Sequence, residues 1–122
     1  MKSNILPHDH EHVSKSEQTM TDITNTANFI KVADYFKLLS DGNRLRIFLL
    51  LCHHEECVIK ISTLMDMSSP AVSHHLRQLK NVGLITSQRS GKEMYYKAAD
   101  TPEVRLLHRA IEEMLQITCP DD

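Results

Sequence analysis

The sequence predicts a mainly helical α+β domain in which one β-hairpin precedes the last helix, in the order α-α-α-α-β-β-α. Between residues 29 and 79, apolar residues recur at three- and four-residue spacing, which is typical of amphipathic helices. From residue 84 the pattern changes to short strands around a turn. Thr101-Pro102-Glu103 then combines a cap, a proline and an acid, which together indicate the start of a final helix.

Three helices are predicted before residue 68. The first carries an apolar stripe that includes Phe29 and Phe36. Asp41 is placed to cap the second, which is apolar on most sides and therefore belongs to the centre of the core. A short third helix fits residues Val58–Met65.

A fourth helix and the hairpin follow. Ser69 is a suitable N-cap, and Pro70 suits the first helical turn because a proline there leaves no hydrogen bond unmade. The two strands, Leu84–Arg89 and Lys92–Lys97, flank a turn at Ser90-Gly91.

The N-terminal segment has a different composition. Residues 1–24 are polar, rich in Ser, Thr, Asp and His, and lack an apolar period, so we expect a flexible, histidine-containing arm with room for a short helix near its end. Residues 25–122, which contain all the elements predicted above, then form one folded domain.

Size and composition exclude several classes of protein. The 122 residues fit one domain with a modest core. The longest apolar run, Ile47–Cys52, has six residues, whereas a membrane span needs about 20. The N-terminal residues contain no long hydrophobic stretch, so we expect no secretory signal, and an odd number of cysteines, three, does not indicate a disulfide framework. We therefore expect a cytoplasmic protein that does not enter a membrane.

Charge is distributed unevenly along the chain. The formal net charge is −2, but residues 69–97 contain five bases and one acid, a local net charge of +4. Residues 1–30 carry −2, residues 31–68 are neutral, and residues 98–122 carry −4. The positive excess therefore coincides with the fourth helix and the hairpin, as nucleic-acid binding requires.

Two short helices joined by a tight turn and followed by a hairpin with a basic tip make a winged helix-turn-helix. In that motif the second helix enters the major groove of double-stranded DNA, and its early residues reach base edges. Arg89 and Lys92 flank the hairpin tip, where they can hold phosphates. The predicted DNA-contacting residues are Ser68, Ser69, Pro70, Ser73, His74, Arg77, Gln78, Lys80, Arg89 and Lys92.

Other functions fit the sequence less well. Ser73-His74, and Cys57 with His53, contain nucleophile and base types, but no phosphate-loop or oxyanion-hole glycine motif accompanies them. We therefore expect no enzymatic activity. A winged-helix interaction module that does not bind DNA is the alternative from a different functional class.

Three segments of this chain resemble a known family. Leu39–Ile47, Ser69–Leu76 and Gly91–Tyr96 are similar to the corresponding motifs of the ArsR/SmtB family, bacterial winged-helix repressors that release DNA on binding metal ions or other inducers. The resemblance covers about residues 27–118, and Gly42 replaces the usual proline. It implies a homodimer, built from the first and last helices, that binds an imperfect inverted repeat. Apolar residues of the last helix, which little else on the chain would cover, agree with a dimer.

The resemblance also implies two metal positions. One lies on the paired last helices, where this chain has Asp100 and Glu113 but Pro102 and Gln116 instead of the two histidines, so we expect a degraded site. The other joins a thiol at the start of the third helix to the arm of the partner subunit. Cys57 matches that thiol.

The arm supplies candidate partners for this thiol. On an extended chain His8, His10 and His12 would lie on one side, as a chelating set. Three imidazoles and one thiolate suit Zn²⁺, with cobalt, nickel or cadmium as other possibilities, so we expect a divalent transition metal as the inducer and no organic cofactor. The alternative is a merely solubilising arm and a small buried side chain at Cys57.

A thiol-redox or reactive-sulfur-responsive repressor of the same fold is a further alternative. Some family members use one cysteine on the second helix and one on the last. Cys52 and Cys119 lie on those helices, although each falls later than the usual position. His53 and His54 beside Cys52 offer either positive charge that lowers the pKa of the thiol or additional metal ligands.

Overall fold

A computed structural model describes residues 10–119, without the side chains of residues 10–14, 21 and 22. The chain divides between Asp34 and Tyr35 into two compact units. The described elements are α1 (His10–Thr24), α2 (Thr26–Leu39), α3 (Gly42–His53), β1 (Glu56–Cys57), α4 (Val58–Met65), α5 (Ser69–Asn81), β2 (Ile85–Ser90), β3 (Glu93–Ala98) and α6 (Pro102–Thr118).

The first unit contains a helix where the sequence predicts a flexible arm. α1 has 15 residues, more than the short helix for which the prediction left room. Its sequence lacks Gly and Pro and includes Glu, Gln, Lys and Met, all good helix formers, so a helix is locally favourable despite the missing apolar period. The second helix of the unit, α2, begins at Thr26 and continues into the second unit.

α3 is the centre of the core in the second unit, as predicted. The Asp41 carboxylate accepts the Arg44 N–H at 3.0 Å, which confirms the predicted cap. Ile47 and Phe48 are completely buried. The core comprises Tyr35, Ile47, Phe48, Leu51, Ile61, Met65, Val72, Leu76, Leu79, Leu84, Ile85, Ala99, Val104 and Ile111.

α4 and α5 form the helix-turn-helix. Asp66 ends α4 in the left-handed conformation, at φ 54°, and the Ser62 hydroxyl donates to the Met67 carbonyl. The N-cap of α5 is Ser68, whose hydroxyl oxygen accepts the Ala71 N–H at 3.2 Å. The predicted cap, Ser69, is wrong by one residue because Ser68 has the extended backbone of a cap and Ser69 is already helical.

The wing is a three-stranded antiparallel sheet in the order β1-β3-β2. β2 and β3 join through Gly91 and Lys92, one residue later than the predicted turn, and Gly91 has φ 62°. Glycine takes this conformation without steric cost. The additional strand, β1, pairs Glu56 with Tyr96 and Cys57 with Tyr95. Two residues are too few to show a strand period in the sequence.

The last helix, α6, begins as predicted, because the Thr101 hydroxyl oxygen accepts the Val104 N–H at 3.2 Å. Val104 and Ile111 point into the core. None of the described helices combines the length and apolar character needed to cross a bilayer. Large apolar side chains that this single chain leaves exposed include Phe29, Val32 and Phe36 on α2 and Leu106, Met114, Leu115 and Ile117 on α6.

Those exposed side chains agree with the expected dimer. Among the described residues, Phe36 of the α2 stripe is 62% exposed, and Leu64 of α4 is 51% exposed. Apolar residues exposed on both α2 and α6 are what a homodimer through the first and last helices requires, with α2 corresponding to the first predicted helix.

Two isoleucines of α4 give a matched test of this packing. Ile61 is completely buried, whereas Ile59 is 64% exposed. Ile61→Ala should lower the free energy of unfolding by about 2–5 kcal/mol, because it removes buried methyl groups and leaves a cavity. Ile59→Ala should change it by no more than about 0.5 kcal/mol. Urea unfolding at one fixed protein concentration measures both, and equal losses would contradict the described packing of α4.

Candidate nucleic-acid interface

α5 separates an apolar from a polar face, as its helical period predicts. Val72, Leu76 and Leu79 are buried in the core, which turns the intervening polar side chains outward. Of the ten predicted DNA-contacting residues, Ser73 and Gln78 are half-buried. The other eight are exposed: Ser68, Ser69, Pro70, His74, Arg77, Lys80, Arg89 and Lys92.

The wing adds two of these positive charges close to its tip. Arg89 lies on β2 opposite Met94, and Lys92 follows Gly91 in the turn. Lys97 on β3 is also exposed. The five basic side chains between residues 69 and 97 are therefore all open to solvent, and the local charge of +4 is available to a polyanion.

Arg44 fastens the predicted recognition helix, α5, to the rest of the domain. Its Nη1 donates to Oε1 of Gln78 at 2.7 Å and lies 3.3 Å from Nδ1 of His75. Its Nε donates to the Leu38 carbonyl at 2.7 Å. The guanidinium thus joins α5 to the end of α2 and the start of α3, and Gln78 uses its carbonyl oxygen within the protein.

The same cluster selects the neutral form of His75. Burial lowers the pKa of this imidazole, and the positive charge of Arg44 acts in the same direction, while Asp41 opposes them. Because the Arg44 Nη1 can only donate, Nδ1 of His75 is the acceptor, which a protonated imidazole cannot be. Sequence reasoning did not identify Arg44 or His75 as positioning residues.

The sequence matches the family described as bacterial regulatory protein, arsR family, over residues 41–87, from the cap of α3 to the first half of β2. It is 32% identical over 105 residues to a transcriptional repressor SmtB homolog from Synechocystis sp.. The aligned residues cover 86% of this chain and 79% of that protein. It is 34% identical over 100 residues to a cadmium resistance transcriptional regulatory protein CadC homolog from Staphylococcus aureus, covering 81% of this chain and 82% of that protein. This chain belongs to the ArsR/SmtB family.

A solved structure supports the same assignment. The homodimeric winged helix-turn-helix DNA-binding domain of a possible ArsR-family transcriptional regulator from Mycobacterium bovis has a TM-score of 0.70 and 30% identity to this chain. The match covers 79% of this chain and 88% of that one. The family and the fold are those of transcriptional regulators, and the partners of this ArsR-family regulator are double-stranded DNA and a second copy of itself.

The residues at the family's last-helix metal position are exposed to solvent. Asp100 is 93% exposed and accepts a hydrogen bond from Arg105. Glu113 is exposed and lines a shallow groove of about 700 Å³ beside α6. The prediction of a degraded site stays a prediction.

The thiol at the other family position lies at the start of α4. Cys57 is the N-cap residue of that helix and is half-buried, with its backbone paired to Tyr95 of β3. His10 and His12 belong to α1 and have helical backbone, so the extended-chain alternation expected for them is wrong. His8 lies outside the described residues. That Cys57 meets the arm of a partner subunit stays a prediction.

The two cysteines of the redox alternative have different environments. Burial raises the pKa of the half-buried Cys52 thiol to about 11, and the Glu112 carboxylate contributes in the same direction. The prediction that His53 and His54 lower the pKa of the Cys52 thiol is therefore wrong. Cys119 is exposed at the C-cap of α6 and lines the groove that also contains Glu113. Both thiols are free, and the raised pKa leaves little reactive thiolate at Cys52.

Three side chains with metal-ligating atoms meet between the last turn of α3 and the middle of α6. The Nε2 atom of His53 is 2.6 Å from Oε2 of Glu112, and the Nε2 atom of His108 is 3.2 Å from each of these two atoms. The His53 hydrogen bond, followed by that of His108, lowers the pKa of Glu112. The sequence indicates two of the three residues of this cluster, because His108 and Glu112 are one helical turn apart.

The environment of His75 predicts a pH dependence of stability. Its folded-state pKa lies below the ordinary 6.5, so between these two values the unfolded chain binds more protons than the folded one. The stability that neutral His75 supports is therefore present above about pH 6.5 and is lost as the pH falls through the folded-state pKa. His75→Gln, which keeps an acceptor for Arg44, should lose less stability than the natural chain between pH 7 and pH 5.

Urea unfolding across this pH range measures the difference, and His74→Gln is the control because His74 is the exposed neighbour on the same helix. Parallel pH profiles for the natural chain and His75→Gln would contradict the described environment of His75.

Proposed function

We propose that this ArsR-family regulator is a metal-responsive transcriptional repressor that binds an operator through α5 and the wing and leaves it when a divalent transition metal, foremost Zn²⁺, binds. The observation that carries the DNA-binding part is the exposed basic surface formed by α5 and the wing. The metal response is supported by the relatives, one described as a transcriptional repressor SmtB homolog and another as a cadmium resistance regulator.

The operator contacts follow from the placement of each side chain. Ser69, Ser73, His74 and Arg77 occupy the first half of α5, the part of a recognition helix that reaches base edges. Arginine forms paired hydrogen bonds to guanine in the major groove, so Arg77 is assigned base recognition. The basic side chains of the wing, together with Lys80, are assigned contacts with DNA phosphates.

Two copies of the surface read an imperfect inverted repeat. A homodimer presents its recognition helices about 34–36 Å apart, one turn of DNA. A change in this spacing of the two α5 helices therefore weakens operator binding without altering any base contact. Only a modest coupling free energy is required, because about 1.4 kcal/mol changes an equilibrium constant tenfold.

The metal position assigned to this response contains Cys57. A metal ion held by this thiolate and by histidines of the partner subunit's N-terminal segment would join the two subunits and reset the distance between their recognition helices. Thiolate and imidazole ligands suit Zn²⁺, and the same ligand set takes cobalt, nickel or cadmium.

Arg77→Ala and Lys92→Ala should weaken operator binding in distinguishable ways. Arg77→Ala should cost about 1–3 kcal/mol for each half-site and reduce the preference for the operator over unrelated DNA. Lys92→Ala should weaken binding to all sequences and reduce the slope of log K against log salt by about one for each phosphate that is no longer neutralised. Fluorescence anisotropy with DNA from upstream of the regulator's own operon measures both.

Arg105→Ala is the control in that titration, because Arg105 lies on α6 and pairs with Asp100. If the natural chain does not bind this DNA at low salt, the repressor function is wrong and the interaction-module alternative is favoured. If Arg105→Ala and Arg77→Ala lose equal affinity, the assignment of the surface is wrong.

Cys57→Ser tests the metal position separately. Zn²⁺ should release the natural regulator from its operator, whereas Cys57→Ser should stay bound at the same metal concentration because a hydroxyl does not replace the thiolate. Cys119→Ser is the matched control, since Cys119 is exposed at the end of α6. Release of Cys57→Ser at the natural metal concentration would exclude Cys57 and leave metal response itself intact.

A further inference from the structure

The cluster of His53, His108 and Glu112 lies outside both metal positions considered above. His53 is in the last turn of α3, and His108 and Glu112 are on successive turns of α6. All three belong to the same subunit and the same compact unit. None of them is at the position of Asp100 or Glu113.

The distances within this cluster are close to those of a metal coordination sphere. In a tetrahedral zinc site with bonds of about 2.0–2.1 Å, neighbouring ligand atoms lie about 3.3 Å apart. The His108 Nε2 atom is 3.2 Å from His53 Nε2 and 3.2 Å from Glu112 Oε2, and the third side of the triangle is 2.6 Å. Lengthening that one side is the main adjustment that a bound ion requires.

If both Nε2 atoms carry protons and donate to the Glu112 carboxylate, two N–H donors are left pointing into the same small space. Two imidazole nitrogens face each other at 3.2 Å while both also face the same carboxylate oxygen. At most one of the two Nε2 atoms can donate to the other, and if both imidazoles were charged, the two like charges would face each other. A single cation accepts all three lone pairs at once and removes this conflict.

We propose that His53, His108 and Glu112 form a binding site for a divalent transition-metal ion, separate from the Cys57 position. Two imidazoles and one carboxylate form a nitrogen- and oxygen-rich ligand set suited to Zn²⁺, Co²⁺ or Ni²⁺. The side chains of His53, His108 and Glu112 are 48%, 27% and 45% exposed, so the ion is accessible and water completes its coordination.

A metal ion at this site joins two helices with different neighbours. α3 contributes the centre of the core, whereas α6 exposes Met114, Leu115 and Ile117. Binding would fix the middle of α6 to the end of α3 and so stabilise the packing of the helix that carries these apolar side chains. This effect requires neither DNA nor the proposed metal-dependent release from an operator.

Metal titration of the full-length protein in a Cys57→Ser background tests the proposal, because that background removes the thiolate position. Co²⁺ is added and its visible absorption is followed, and Zn²⁺ affinity is measured by competition with a chelating dye. The background should bind one ion per subunit with no sulfur-to-metal charge-transfer band. His108→Gln and Glu112→Gln should each weaken binding at least about tenfold, since even indirect partners of metal ligands contribute 10–100-fold.

His54→Gln is the matched control, because His54 adjoins His53 at the end of α3 and is not part of the cluster. It should bind Co²⁺ as the background does. Glu112→Gln changes only one exposed atom of α6, so it keeps the test valid if a histidine variant loses helical circular dichroism. Histidine NMR adds a direct readout, in which the first equivalent of Co²⁺ should broaden the His53 and His108 resonances before the others.

The proposal is wrong if the background binds no Co²⁺, or if His108→Gln and Glu112→Gln bind it as tightly as the background. These titrations contain no DNA. Their failure would therefore leave operator binding and its metal response unaffected, and failure of operator release would leave this site unaffected.

Discussion

Burial of α3 is the constraint on which the second unit of the chain depends. Ile47 and Phe48 are completely buried, so this helix has no freedom to move away from its neighbours without exposing large apolar side chains. Its two ends carry polar side chains that reach other helices. Arg44 at its start bonds to Gln78 of α5, and His53 at its end contacts Glu112 of α6. The proposed recognition helix, α5, and the last helix, α6, are thus both positioned against the same buried element.

This arrangement explains why the proposed DNA-binding surface is well defined on a small domain. The apolar side of α5 packs into the core, and Arg44 holds a half-buried flank of the helix through His75 and Gln78, so its basic side chains project from a fixed support. The formal charge of −2 for the whole chain conceals this surface, because the acidic residues are concentrated near the two ends. Charge has to be counted by segment before it predicts a partner.

Local sequence signals predicted most of the fold. The caps at Asp41 and Thr101 were recognisable because their side chains act within three residues, whereas Ser68 and Ser69 have equal capping chemistry and only backbone geometry distinguishes them. β1 escaped prediction because its two residues become a strand only by pairing with β3. The apolar stripe of α2 indicated a helix correctly but not its burial, since an interface with another subunit and a core have the same pattern.

The candidate nucleic-acid interface could be predicted only where its residues lie on one helix or at one turn. The exposed face of α5 and the tip of the wing could be read from helical period and turn position. The contacts of Arg44 join residues 31 and 34 positions apart, and those of His53 join residues 55 and 59 apart, so no spacing rule within the chain connects them. Hydroxyl-radical footprinting of the homodimer on its operator tests the account most directly. Two protected segments about 10 base pairs apart, centre to centre, that disappear on adding Zn²⁺ are the predicted result. A single protected segment, or protection that Zn²⁺ leaves unchanged, would contradict it.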